Sequence, residues 1–334
     1  MPQSGSPVLT APSTDAPDFS ASIVAEPALD LNELLGPVQL LPVAPWKVRA
    51  ANLTVVVVPF LGLIVAGVLL WGVAFSWVYL ALLGAMYLAT GLGITVGFHR
   101  LFTHKSFDAK PWVKFVFGVL GSMAIEGPLM RWVSDHRTHH THSDEEGDPH
   151  SPHLHGSSLW GAVRGAWHSH MGWLFDADAR RDPKTVKDLQ ADPVARSVDR
   201  YFFLWVAIGI GLPALAGGLL TMSWLGALLG MLWGGLVRVF LVHHVTWSVN
   251  SVCHLWGSRP YQSRDHSRNN PIVGVLAMGE GWHNNHHAFP SSARHGLSWW
   301  QFDLSYIVIW TLQKLGLVWA VRVPARTSLD VRRR

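Results

Sequence analysis

Between Asn52 and Phe98 there is no Asp, Glu, Lys or Arg, and no other feature restricts the fold of this chain so severely. About 20 apolar residues in a helix cross a hydrocarbon core roughly 30 Å thick. The run therefore holds two membrane-spanning helices joined by a tight turn near Trp71 to Trp77. A second uncharged run, Tyr201 to Val237, breaks around Gly217 to Trp224 and predicts a second hairpin. The predicted spans are 52–73, 76–98, 201–219 and 224–245. Composition agrees, since 49% of the 334 residues are hydrophobic and only 14% are charged, against roughly 25% charged in soluble domains.

Every Lys and Arg lies outside the two uncharged runs, and the short connectors within them carry none. The positive-inside rule then places both termini and the long middle region in the cytoplasm. Residues 1–45 are rich in Pro, Ala, Ser, Asp and Glu and lack a signal peptide's basic start and apolar segment, so they read as a disordered tail. Residues 46–324 form the membrane domain, and 325–334 a basic C-terminal tail. Phe115 to Ile125 is apolar but too short to cross and reads as an interfacial or re-entrant helix. Trp299 to Val321 reads as an amphipathic surface helix and Gly147 to His153 as a loop. A formal charge of +4 without a basic stripe or nucleic-acid motif speaks against DNA or RNA binding. The single cysteine, Cys253, excludes an intrachain disulfide, a Cys-based zinc site and a self-contained iron–sulfur cluster.

The 19 histidines are not scattered. His283, His286 and His287 are three and four residues apart and share one helical face. His136, His139 and His140 repeat that spacing. Adjacent residues diverge by about 100° around a helix, so the last two histidines of each triplet can reach neighbouring ions. His99 and His104, five apart, do not share a face of a regular α-helix, which predicts that the helix ends or unwinds after His99. Asn250 and His254 lie four apart beyond the fourth span, making His254 a ninth ligand and Asn250 a contact to metal through water. So many imidazoles exceed the coordination number of one ion, and imidazole suits Fe, Zn, Cu and Ni. The fold class predicted is thus an all-α integral membrane protein, with four transmembrane helices in two hairpins and a cytoplasmic helical cap carrying a His-rich dinuclear metal site. Asp135, Glu280 and Asp265 are candidates for accepting the outer N–H of a ligand imidazole. His142, His150, His153, His155, His168, His170, His243, His244, His266 and His295 lack partners at paired spacing and read as surface or supporting residues.

In combination and order, HRLFTH, HRTHH and HNNHH, with NSVCH between the last two, closely resemble the boxes of membrane fatty acyl desaturases of the stearoyl-CoA type. The resemblance runs from about Asn52 to Pro324. It implies a non-haem centre of two Fe(II) ions, occupied by zinc in some structures. It further implies that O2 and two donated electrons remove two hydrogens from a long saturated acyl chain, leaving a cis double bond at the 9 position. By the same resemblance Trp247 and Asp135 line the substrate, while Tyr87 and Gly91 bound the far end of its tunnel. On the second span those two lie roughly 18 and 12 Å from His99, one turn apart. CoA-binding members carry polar or basic residues at the positions of Gly127 and Ser134 and a basic pair after Gly172-Trp173. Here that last region reads LFDADARR, and CoA, a carrier protein or a lipid can each be the carrier.

Breaking unactivated C–H bonds needs a redox metal, and zinc has no redox chemistry. With no Rossmann fingerprint and no fused haem domain in the sequence, electrons are expected from a ferredoxin, a rubredoxin or a cytochrome of the b5 type with its reductase. Membrane hydroxylases and alkane monooxygenases share the boxes, but the first box together with NSVCH favours desaturation. A zinc transporter would hold its ligands near the bilayer midplane, whereas these histidines cluster at the ends of the spans.

Overall fold

The computed structural model describes residues 46–69, 75–175 and 183–334. The expected disordered tail, most of the first interhelical turn and part of LFDADARR lie outside the described residues. In chain order the main elements are α1 (Trp46–Leu69), α2 (Trp77–Thr103), β1 (Asp108–Ala109), α3 (Pro111–Ser122), α4 (Leu129–His142), α5 (Leu159–His170) and α6 (Pro193–Arg200). They continue with α7 (Phe202–Thr221), α8 (Trp224–Leu255), α9 (Pro271–Leu276), α10 (His283–Ala288), α11 (Leu304–Lys314), β2 (Val318–Trp319) and α12 (Arg326–Arg332). The two short strands pair antiparallel, Asp108 opposite Trp319.

Four helices, α1, α2, α7 and α8, are long and apolar enough to cross a membrane. Their roles differ. Only 17% of the apolar window is buried in α1 and in α7, against 44% in α2 and 61% in α8, so α2 and α8 form the inner pair. The outer face of α1 exposes Phe60, Leu61, Ile64, Val65 and Val68. In water each such side chain would forgo about 1.5–3 kcal/mol of burial, which lipid restores. Between α7 and α8 the chain turns at Met222, which is left-handed (φ 49°), and Ser223 caps α8 by accepting from Gly226 N.

The spans outrun the uncharged runs that predicted them. The second predicted span stops at Phe98, short of the first charge, but Arg100 in α2 is fully buried against Glu280 and Asp303. Arg238, already inside the predicted fourth span, is equally buried and donates to the carbonyls of Met123, Gly209 and Gly234. A guanidinium whose donors are satisfied inside the fold need not reach water. As a result α2 extends to Thr103 and α8 to Leu255.

Two further expectations change, and the C-terminal tail gains a defined place. The helix does not unwind after His99; Gly93–Thr103 is a π-helix, in which His104 N donates to His99 O (3.1 Å). A residue-to-fifth-residue repeat puts His99 and His104 on one face without any fold-back. The amphipathic helix expected over Trp299 to Val321 begins only at Leu304, because buried Asp303 caps it by accepting from Tyr306 N, and it gives way to β2. The basic C-terminal tail is ordered: α12 packs on 260–262, with Gln262 N donating to Arg332 O and Arg334 N to Pro260 O.

The apolar helix α3 spans 12 residues and packs against the π-helical part of α2. This approach requires glycine at Gly93, where a Cβ would lie 2.2 Å from Gly121 N. Gly84, on the same helix, has nothing within 4 Å of a Cβ. Gly93→Ala should therefore destabilise by about 1–3 kcal/mol through overpacking, while Gly84→Ala should be neutral or stabilising by up to about 1 kcal/mol. Thermal unfolding of both variants in detergent, followed by size-exclusion fluorescence, checks the contrast.

Candidate metal centre

The third histidine triplet sits on α10, a helix of six residues that could not persist alone. Side chains hold it from both sides. Asn284 brackets Tyr261, accepting its N–H (2.9 Å) and donating to its carbonyl (3.1 Å). Asn285 donates to His295 O (2.7 Å) and Gln301 Oε1 (2.9 Å). Just before the helix, Gly281 passes so close to α9 that a Cβ would lie 2.1 Å from Gly274 N.

All nine histidines named from sequence converge, in two groups. His99, His104, His136, His140 and His286 form one, and His139, His254, His283 and His287 the other; within each, one ligand atom per residue lies within 4.8 Å of the rest. Adjacent residues on one helix face different groups, so α4 sends His140 to the first and His139 to the second, and α10 sends His286 and His287 likewise. Facing Nε2 atoms are 3.1 Å apart for His99 and His286, 3.1 Å for His136 and His140, 2.9 Å for His140 and His286, and 3.0 Å for His254 and His283.

Four carboxylates lie beside these rings. Glu280 lies 2.7 Å from His99 Nδ1, Asp148 2.9 Å from His139 Nδ1, Asp144 2.9 Å from His254 Nδ1 and Asp265 2.5 Å from His287 Nδ1. His139, His254 and His287 can each donate Nδ1–H outward and turn the Nε2 lone pair inward. Burial, and then the neighbouring imidazoles, hold His104, His136, His140, His283 and His286 well below the usual histidine range, so they are neutral. Burial opposes ionisation of Glu280, Asp144, Asp148 and Asp265, yet their partners outweigh it and keep all four below the usual carboxylate range. Arg100 is matched by Asp303. Four buried carboxylates therefore stand behind two pockets of imidazole nitrogens, a donor set that fits two divalent cations. Among the described residues, His104 Nε2, His139 Nε2 and His287 Nε2 are buried without any hydrogen-bond partner, which a bound ion would resolve.

Two cavities meet at the first group. The larger, about 470 Å³, runs from Lys47 and Arg131 inward past Asp135 and Trp247. A slit of about 50 Å³ continues to Tyr87, Gly91 and Met278 and also touches His99 and His283. Trp132, His136, Thr246 and Asn250 line both, forming the constriction between them. Trp132 stacks on His136 at 5.1 Å. Tyr87 donates to Leu276 O (2.8 Å), and a Cβ on Gly91 would lie 2.5 Å from Met278 Cε.

Asp135 lines the larger cavity beside Trp247 and pairs with Arg131 (3.7 Å), while two acids not named from sequence, Asp144 and Asp148, meet His254 and His139. Their signal was the acidic DEEGDPH immediately after the second box. His150 and His295 proved buried against the site, His150 4.4 Å from the His139 ring and His295 4.5 Å from that of His286. Glu126 was also missed. It lines the larger cavity and accepts from Trp132 Nε1 (3.0 Å), and burial pushes its carboxyl up to about 7.

A multi-pass membrane protein with two adjoining histidine groups able to hold metal is the class these features define. More particularly, the chain belongs to the fatty acid desaturase family, whose model matches residues 75–321. It is 41% identical over 279 residues to a hex-5-enoyl-(acyl-carrier protein) acetylenase of Moorena producens, covering 83% of this chain and 87% of that one. An sn-1 stearoyl-lipid 9-desaturase of Anabaena variabilis is 41% identical over 253 residues, 75% of this chain and 86% of that one. The corresponding protein of Synechocystis sp. is 39% identical over 259 residues, 76% and 75% of the two chains. The protein is thus an oxidoreductase of fatty acyl metabolism.

Asp148→Asn keeps the shape but removes one negative charge and the strong acceptor for His139. Metal content, measured by mass spectrometry after dialysis against a graded chelator series, should fall at about 10–100-fold lower chelator than for the unchanged protein. The variant should still elute as a monodisperse membrane protein.

Proposed function

We propose that the protein is an O2-dependent acyl desaturase that places a cis double bond at the 9 position of a saturated long chain, using two iron ions and electrons from a separate protein. His99, His104, His136, His140 and His286 would hold one ion, and His139, His254, His283 and His287 the other, with Asn250 reaching it through water. The observation that carries this reading is that Trp132, His136, Thr246 and Asn250 line two adjoining apolar cavities, one of which touches both histidine groups. Breaking an unactivated C–H bond needs redox chemistry, which iron has and zinc lacks.

When bound, the iron pair supplies the oxidant: one O2, two electrons and two protons remove two hydrogens and leave the alkene and two waters. The chain's own residues do the rest. Trp132 and Thr246 hold the acyl chain bent, which selects the cis product, and the apolar walls exclude water. Glu126 braces Trp132 by accepting its indole N–H, and burial raises its carboxyl to about 7. Lys47 and Arg131, at the far end of the larger cavity, would meet the polar carrier. We take that carrier to be a lipid, because relatives at about 40% identity are named for lipid-linked stearoyl groups and Gly127 and Ser134 lack the basic side chains that CoA would need. The positive-inside distribution favours cytoplasmic histidines and termini.

Expression in a desaturase-deficient host should yield 9-monoenes, located by gas chromatography with double-bond derivatisation. His139→Ala should still insert in the membrane and form none. Hydroxylated product instead of alkene would sink the reading, and so would full activity in a preparation holding only zinc.

The slit beyond the constriction sets chain length in this reading. Met278 is unbranched and flexible, and its tip against Gly91 is the movable stop. Gly91→Leu should lower the ratio of 18- to 16-carbon monoenes several-fold, and Tyr87→Ala should raise it. An unchanged ratio in both active variants would return the two residues to ordinary helix packing.

A further inference from the structure

The connection from α8 to α9 lies directly over α10, bolted to it through Tyr261 and Asn284 (2.9 and 3.1 Å) and through Asn269 and Asn285 (2.7 Å). The C-terminal segment is strapped along its edge. Arg333 bridges to Tyr261, Arg334 N donates to Pro260 O, and the Arg332 guanidinium donates to Ala288 O while lying 5.3 Å over the Phe289 ring. Together these segments gather Arg259, Arg264, Arg268, Arg332, Arg333 and Arg334, of which Arg264 and the last three are exposed. Burial, and then Arg334 and Arg268, push the Arg259 guanidinium below its usual range, so these like charges crowd one another. Asp265, the one acid between Trp256 and Asn270, is turned inward to His287. Exposed Asp330 on α12, and Glu145 and Glu146 beyond Asp144, leave a clear positive excess.

Beneath this face the path to the histidines is short. Asp265 meets His287 at 2.5 Å, and His266 N donates to Asp144 (2.8 Å), which meets His254 at 2.9 Å. Two consecutive residues of the arginine-bearing loop thus bond to, or one residue short of, two imidazoles of the same group.

We propose that this arginine face docks the electron donor, a small acidic carrier protein, and that electrons enter through the His139, His254, His283 and His287 group. The inference rests on the redox reading of that group. Each docked carrier loses one electron to the group, and two encounters supply one double bond. An anionic bilayer would also attract arginines, but these lie past the end of α8 and over α10, where a carrier comes nearest the histidines.

The test compares the full chain with an Arg264→Glu, Arg333→Glu, Arg334→Glu triple variant, both iron-loaded in discs of zwitterionic lipid. The probe is an acidic ferredoxin, and the readouts are its Kd by thermophoresis and the KM and kcat of desaturation. At low salt Kd and KM should both rise about tenfold or more, the salt dependence of the unchanged protein should flatten, and kcat with dithionite should stay the same. Unchanged Kd and KM overturn the proposal. A difference that appears only in discs containing anionic lipid also overturns it and assigns the arginines to the bilayer. If the triple variant aggregates, Arg264→Glu alone decides by the same criteria. Absence of desaturation with dithionite while ferredoxin binding still depends on the arginines would refute the desaturase reading and leave the docking face standing.

Discussion

Nine imidazoles crowded into two buried groups would repel one another's lone pairs and leave polar atoms unsatisfied unless something positive lay between them. The rest of the structure is arranged around that constraint. Glu280, Asp148, Asp144 and Asp265 orient four of the rings and bring the negative charge that two divalent ions would balance. Arg100 and Asp303 neutralise each other beside Glu280, so the balance is local. Rings from α2, α4, α8 and α10 meet here, which makes the site a junction between the membrane helices and the segments that follow them.

The same junction explains why α2 is irregular. α2 becomes a π-helix over Gly93–Thr103, and α8 contains a second π segment, Met231–Val237. An α-helix would send His99 and His104 to different sides, whereas the wider turn aligns them and leaves Gly93 tight against α3. π-helical turns cost regular hydrogen-bond geometry and persist where a site demands them. The two outer helices, which contribute no histidine to either group, contain no described π segment.

The cavities give the histidine groups something to act on. An apolar passage that narrows beside His136 suits a flexible chain whose middle must be held still while its ends extend in two directions. Most of its wall comes from helices that are themselves membrane-exposed, so a lipid-soluble substrate need never cross bulk water to reach it. In the proposed reading, chain-length selection would fall on buried Met278, carrier recognition on Lys47 and Arg131, and electron entry on the face around Arg264.

The sequence by itself determined the number of spans, the family and the nine convergent histidines, because each rests on a local pattern: uncharged runs longer than a bilayer is thick, and imidazoles at helical spacing. Glu280 and Asp265 were legible as partners only in kind, since any acid near a box qualifies. Tertiary structure alone decided that Asp144 and Asp148 hold imidazoles, that His295 and His150 pack against the site, and that Arg100 is buried inside a span rather than ending it. It also decided that the basic C-terminal residues join a loop some seventy positions earlier in one cationic face. The reason is common to all of these: a charged or polar side chain has no preferred burial of its own, and its place depends on partners brought to it from distant parts of the chain.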